Sequence, residues 1–333
     1  EDGIYSPKTG EIFPIVMIDY VSIEGASESA TIIDAKKSNQ VILLLQTTQN
    51  TLSDLTITGG YVTQEDEIRY GGGLCIWESS FITLHHLTVT QNDAHVGGGI
   101  MSFISGVMIS DLTISGNKAY LGGGYYNHNI SPYYIPEGIS PQYSTLNNVT
   151  ISENYSSSYG GGILIYEGYP TLSNVTISDN TSETKGGGAF IINDPYDPSV
   201  IHPVFNSVTI SENTAERGGG IYLLGSDVIL NNLTIRNNQA KGDEAGGIYM
   251  YDSSPTINST VITGNISNRG AGLYSISSTP KLSQVTISRN TADYYGGGIY
   301  IANNNEEIII RNSILWDNSP EDIILDDAQA DIT

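Results

Sequence analysis

Residues Val208 to Ile221 read VTISENTAERGGGI. The stretch opens with alternating β-branched residues, Val208, Thr209, Ile210 and Ser211, which suits a strand with one face buried. It turns at Asn213 and ends in three glycines before a new apolar run. The same wording recurs as LTISGNKAYLGGGY from Leu112, VTISENYSSSYGGGI from Val149 and VTISDNTSETKGGGA from Val175. It recurs again as LTIRNNQAKGDEAGGI from Leu233 and VTISRNTADYYGGGI from Val285. Weaker copies begin at Leu55, Leu87, Thr260 and Ser313.

The Asn of each copy measures the period. Asn92, Asn117, Asn154, Asn180, Asn213, Asn238, Asn265, Asn290 and Asn318 are spaced by 25, 37, 26, 33, 25, 27, 25 and 28 residues. A minimum of 25 with longer exceptions describes a basic coil plus inserted loops. No copy holds a useful helical apolar period. The leucine-rich pattern is absent, and a β-propeller blade needs about 40 to 45 residues. Short strands on a period near 25 predict an all-β chain: a right-handed parallel β-helix of about ten coils, three strands per coil, forming one domain over 1–333.

Around Pro170 the expected strands are Thr171 to Ser173, Val175 to Ser178 and Gly188 to Ile191. Leu172, Val175, Ile177, Ala189 and Ile191 then face inward. Coils stacked about 4.8 Å apart give the nine glycine motifs a length of roughly 45 Å. No coil buries its apolar side alone, so stacking supplies the stability. The Asn file reads as a structural ladder at a sharp corner, and the glycines as places of tight turning and close approach. Ala94, Ala119, Ala215, Ala240 and Ala292, two residues after the Asn, are expected to pack beneath that corner. Sequons at Asn148, Asn174, Asn232 and Asn265 arise from the repeat itself.

Composition narrows the function. Lys plus Arg number 13 against 36 Asp plus Glu, a net charge of −23. Such a chain repels a phosphate backbone, so nucleic acid is not an expected partner. The single Cys75 excludes an intrachain disulfide framework. No apolar run reaches the ~18 residues of a helical membrane span.

The T-I-S-x-N and G-G-G-I motifs resemble those of bacterial right-handed parallel β-helix repeat proteins. They are similar in part to chlamydial polymorphic outer-membrane adhesins, whose repeats carry F-x-x-N and G-G-A-I. Here Thr150-Ile151-Ser152-Glu153-Asn154 lacks the Phe, and the Ala is usually a third Gly. GIYSPKTGEIFPI (Gly3 to Ile15) and VSIEGASESATIIDA (Val21 to Ala35) resemble the opening coils of secreted pectin-lyase-like proteins. The resemblance covers nearly the whole chain. It implies the fold and an extracellular or bacterial cell-surface location, but the fold hosts lyases, hydrolases, adhesins and stalks alike. Glu1 enters a strand-like run directly and residues 323–333 keep the repeat's texture, so a segment of a longer surface protein is expected.

Three insertions interrupt the period: 61–70 with Glu65, Asp66 and Glu67, then 127–144 and 193–203. The last two should lie side by side about 10 Å apart, bringing Tyr133, Tyr134, Glu137 and His128 near Asp194, Tyr196, Asp197 and His202. The outward position after the glycines runs Cys75, Met101, Tyr126, Leu164, Phe190, Tyr222, Tyr249, Tyr274, Tyr300. Two residues on it runs Trp77, Phe103, Asn127, Tyr166, Ile192, Leu224, Tyr251, Ile276, Ala302. This predicts an apolar and aromatic stripe, read either as an exposed interaction surface or as a self-shielding Tyr ladder.

The candidate ligand-binding residues are therefore Tyr126, Tyr133, Tyr134, Glu137, Tyr166, Asp194, Tyr196, Asp197, Tyr222, Tyr249, Tyr274 and Tyr300. Their partner is a glycan or a protein surface. No catalytic constellation stands out. Glu153, Asp179 and Glu212 precede ladder Asn residues and read as solvated corners. His85, His86, His95, His128 and His202 carry no known metal spacing. No cofactor is expected, with Ca²⁺ reserved for the competing reading of a polysaccharide lyase or glycosidase using Glu137 with Asp194 or Asp197. A head-to-tail filament subunit, associating end to end, is the third reading.

Overall fold

A computed structural model describes residues 2–63, 70–129, 143–193, 201–303 and 307–332. The chain is a parallel β-solenoid of about twelve turns. It divides into two compact units, one of residues 1–157 and 161–171, the other of residues 158–160 and 172–333.

A coil of the second unit shows the build. Its strands are Val204–Asn206, Thr209–Ser211, Thr214–Ala215 and Ile221–Leu224. Four left-handed residues turn the corners between and after them: Ser207, Glu212, Gly218 and Gly225, with φ of 55°, 59°, 62° and 58°. The first two strands belong to one sheet bent at Ser207, the third to a narrow sheet after the Asn, the fourth to a flat sheet after the glycines. The division into three strands expected from the sequence differs in one respect. Its first two strands share a sheet, and the residues after the Asn make the third. The repeated coil geometry places Glu153, Asp179 and Glu212 at left-handed corners, all exposed.

Within each unit the described coils stack in parallel, in register apart from one shift between Ser267 and Arg269. In the second unit Ile177 pairs with Ile210, Ile210 with Ile235, Ile235 with Ile262 and Ile262 with Ile287. Ala189, Ile221, Ile248, Leu273 and Ile299 form a parallel file on the flat sheet. These residues are at most 1% exposed, as are Leu172, Val175 and Ile191. Each buried Ile or Leu contributes about 1.5–3 kcal/mol relative to exposure. Ala94, Ala119, Ala215, Ala240 and Ala292 point inward from the narrow sheet and are buried too.

The Asn file is a buried hydrogen-bond ladder. It runs Asn92, Asn117, Asn154 in the first unit and Asn180, Asn213, Asn238, Asn265, Asn290, Asn318 in the second, amide to amide at 2.9–3.1 Å. The glycines serve it. A Cβ on Gly188 would lie 2.6 Å from the Gly220 carbonyl and 3.0 Å from the Asn213 amide nitrogen.

The number of turns exceeds the ten expected. Each unit contributes six strands to its flat sheet. The coils of Ile15–Val16, Ile42–Leu45 and Ile323–Asp326 lack the triple-glycine signature by which the repeat was counted.

Candidate functional site

The flat sheet's outer face carries the predicted stripe, and in the second unit that stripe is closed. Phe190, Tyr222, Tyr249 and Tyr274 are 3–6% exposed, and Tyr300 is half-buried. In-register pairing forces each ring onto the next. Phe190 to Tyr222, Tyr222 to Tyr249, Tyr249 to Tyr274 and Tyr274 to Tyr300 stack with centroids 4.4–5.4 Å apart. Tyr159 extends the stack onto Phe190 at 4.9 Å. The Tyr300 hydroxyl donates to Asp326 at 2.7 Å.

A second file covers the rings. The left-handed glycine folds the corner back, so the residue before it faces the ladder. Lys185 Nζ lies 5.0 Å from the Tyr222 ring centroid and 5.5 Å from that of Tyr159, within cation–π reach. Arg217 Nε approaches Glu244 Oε2 at 3.0 Å, although the approach is not aligned as a hydrogen bond. Arg269 occupies the next place, its buried Nε without a hydrogen-bond partner. Burial pushes the Tyr222 phenol up to about 12. It also lowers the Lys185 ammonium, with Arg217 adding to the effect. Burial raises the Glu244 carboxyl against the opposing pull of Arg217. The exposed stripe expected here is thus a shielded ladder, whose ring faces are occupied by neighbouring rings.

In the first unit the row two residues further on is open. Trp77, Phe103, His128 and Tyr166 are in register. Ring centroids lie 4.1 Å apart for Trp77 and Phe103, 4.8 Å for Phe103 and His128, and 4.7 Å for His128 and Tyr166. The first three are half-buried, and Tyr166 is 37% exposed. Beside them on the same face Cys75, Met101, Tyr126 and Leu164 are buried. The Tyr126 hydroxyl lies 3.4 Å from His128 Nδ1. Polar groups line the row's edge. Trp77 Nε1 donates to Glu78 Oε1 at 3.2 Å, and Gln46 Nε2 donates to Glu78 Oε2 at 2.8 Å. Burial lowers the His128 imidazole from 6.5 to about 4, so the ring is neutral at pH 7.

The sequence reading put Asn127 in this row, and the structure corrects it. Asn127 faces inward, buried, and donates to the Tyr125 hydroxyl at 3.1 Å and Ser144 Oγ at 3.3 Å. His128 holds the outward place. Tyr133, Tyr134, Glu137, Asp194, Tyr196 and Asp197 lie outside the described residues, so their expected convergence stays untested. The residues facing the Tyr ladder, Lys185, Arg217, Glu244 and Arg269, were not anticipated. Their signal is position alone, one before each glycine motif.

Two further clusters lie in the first unit. A cleft of about 550 Å³ gathers Lys36, Lys37 and Lys118 against Asp34 and Asp93. On the bent sheet Asp54, His85 and His86 bring three ligand-type atoms within 4.8 Å of one another.

Comparison with known proteins bears on the fold. No curated protein matches the chain. A crystal structure of PfbA, a surface adhesin of Streptococcus pneumoniae, aligns over 94% of this chain and 82% of its own, with 12% identity and a TM-score of 0.26. The model of the right-handed β-helix region matches residues 19–205, 136–262 and 219–333. The parallel in-register coils, the Asn ladder and this match over most of the length agree, and the chain belongs to the right-handed β-helix family.

Proposed function

We propose that this chain is a non-catalytic adhesive solenoid of a bacterial surface or secreted protein. It holds glycan chains against the open row of Trp77, Phe103, His128 and Tyr166. The observation that supports this reading is the row itself. Four rings in register on a rigid sheet leave part of their surface to solvent, with the Glu78 carboxylate and Gln46 amide at their edge. Sugar rings present apolar C–H faces and a rim of hydroxyls. Aromatic faces suit the first and carboxylate or amide groups the second. Tyr126 stands beside His128, its hydroxyl 3.4 Å from the imidazole Nδ1. In the second unit Tyr222, Tyr249 and Tyr274 are buried and the Tyr300 hydroxyl is engaged by Asp326, so this ladder offers no ring face for stacking.

The test is a glycan array on the purified chain, followed by calorimetry on any ligand found. Trp77→Ala should weaken binding about thirtyfold, corresponding to ~2 kcal/mol for a buried aromatic anchor. Tyr251→Ala, an exposed ring of the second unit, should leave it unchanged. A reducing-sugar assay runs on the same ligand, and release of new reducing ends would replace the adhesive reading with an enzymatic one.

A further inference from the structure

From Asp54 to Asn312 the bent sheet turns at a left-handed residue in successive coils, and this has a chemical consequence at residues 85 and 86. In a regular strand consecutive side chains point to opposite faces. His86 has φ of 49°, which interrupts the alternation. Leu84 and Leu87 are both fully buried, while His85 is half-exposed and His86 exposed. Both imidazoles therefore stand on the outer surface, side by side.

The preceding coil bends at the same place. Ser53 pairs with His85 and Leu55 with Leu87, so Asp54, with φ of 58°, comes opposite His86. Asp54 Oδ1 lies 3.4 Å from His86 Nδ1, and His85 Nδ1 lies 3.4 Å from His86 Nδ1. All three ligand atoms fall within 4.8 Å of one another. A tetrahedral Zn²⁺ with bonds of 2.0–2.1 Å requires ligand atoms about 3.3 Å apart. The Asp54–His86 and His85–His86 separations match it, and the third pair lies within 4.8 Å.

Other bends are furnished differently. Asn231 donates to Asn206, and Asn258 to Asn231, so an amide file closes the corner. Asp111, on the coil after His86, is engaged by the amide of Asn148. Only at His85 and His86, among the described residues, does the corner bring two imidazoles to a carboxylate.

We infer that Asp54, His85 and His86 form a binding site for a divalent transition-metal ion of the Zn²⁺ type, with a fourth position open to water or an external ligand. Two imidazoles and one carboxylate select such an ion over Ca²⁺, which takes six to eight oxygen ligands. The ion bridges two coils and therefore favours the folded chain. The site is separate from the aromatic row and does not depend on the adhesive reading.

The experiment uses the full chain without a histidine tag, stripped of metal. It is titrated with Zn²⁺ by calorimetry at physiological salt and with Co²⁺ by visible absorption. The expected result is one ion per chain, intense Co²⁺ bands of tetrahedral type and a higher melting temperature with Zn²⁺. His86→Ala should abolish the bands. Asp54→Asn should weaken Zn²⁺ binding by about tenfold or more, and His95→Ala should change nothing. The altered side chains lie at the surface, and circular dichroism verifies that each variant is folded. Zn²⁺ uptake that survives in the His85→Ala/His86→Ala double variant would overturn the assignment. So would an unchanged affinity and cobalt spectrum in Asp54→Asn, or no saturable binding by the parent chain.

Discussion

Asn213 donates its side-chain amide to Asn238 Oδ1 at 3.0 Å and to the Ile177 carbonyl at 2.9 Å. Its own Oδ1 accepts the backbone N–H of Asn180 at 2.9 Å and the Asn180 amide at 3.0 Å. Every bonding direction of this fully buried side chain is used. Asn213→Ala is expected to cost about 3 kcal/mol, because it strands buried donors and acceptors on both neighbouring coils. Asn213→Asp should cost more, since a carboxylate would face the acceptors Ile177 O and Asn238 Oδ1. At the ladder's end an acid does fit, because Asp322 Oδ1 only accepts, from both the N–H and the amide of Asn318. Denaturant midpoints of the two variants check the ranking.

Ala245 offers the opposite case. It has φ of 54° at the place where Gly218 and Gly270 adopt 62° and 57°. A left-handed Ala costs about 1–2 kcal/mol, against an entropic cost of about 0.5–1 kcal/mol for Gly. Ala245→Gly should therefore stabilise the chain by about 0.5–1 kcal/mol, seen as a raised melting temperature. Gly218→Ala should destabilise it, because its Cβ would meet the Ile221 carbonyl at 2.7 Å.

The Tyr ladder predicts an alkaline limit. The Tyr222 phenol is raised from 10.0 to about 12, chiefly by burial. Between those values the folded chain binds more protons than the unfolded one, so stability falls as pH rises through the window. Below pH 10 the contribution is complete. Tyr222→Phe should flatten the fall, measured as denaturant midpoint against pH.

His128 predicts the acid counterpart. Its imidazole is lowered from 6.5 to about 4 by burial. The unfolded chain binds the extra proton first, so stability falls as pH drops from 6.5 towards 4. His128→Phe keeps a ring in the aromatic row and removes the titration. Its melting temperature should exceed that of the parent chain increasingly across this window. An unchanged difference would place His128 in a solvated setting instead.

Much of the fold was legible because register repeats chemistry. The Asn file, the inward Leu172, Val175 and Ile177, and the aromatic file after the glycines each mark one fixed place in the coil. What escaped the reading depends on left-handed corners, which alternation does not foresee. In four successive coils of the second unit the residue before the glycine motif is Lys185, Arg217, Glu244 and Arg269 in turn. No common residue type announces that a corner turns it onto the rings. His85 and His86 escaped for the same reason, although a signal was present. Inward residues there are spaced by three, as Leu52 and Leu55, Leu84 and Leu87, Ile109 and Leu112. That spacing marks a bend with two consecutive outward side chains. His128 was within reach of simple alternation from Tyr126.

The Asn ladder also makes coil number a separable property of the molecule. Each rung presents the same donors and acceptors that it receives. Removing the 25 residues from Asn213 to Asn237 would hand Asn180 directly to Asn238 with its bonding needs unaltered. Duplicating them would insert an equivalent rung. A gene encoding this chain can therefore shorten or lengthen by whole periods through recombination between copies. Length becomes a trait that lineages can vary while the cross-section stays constant.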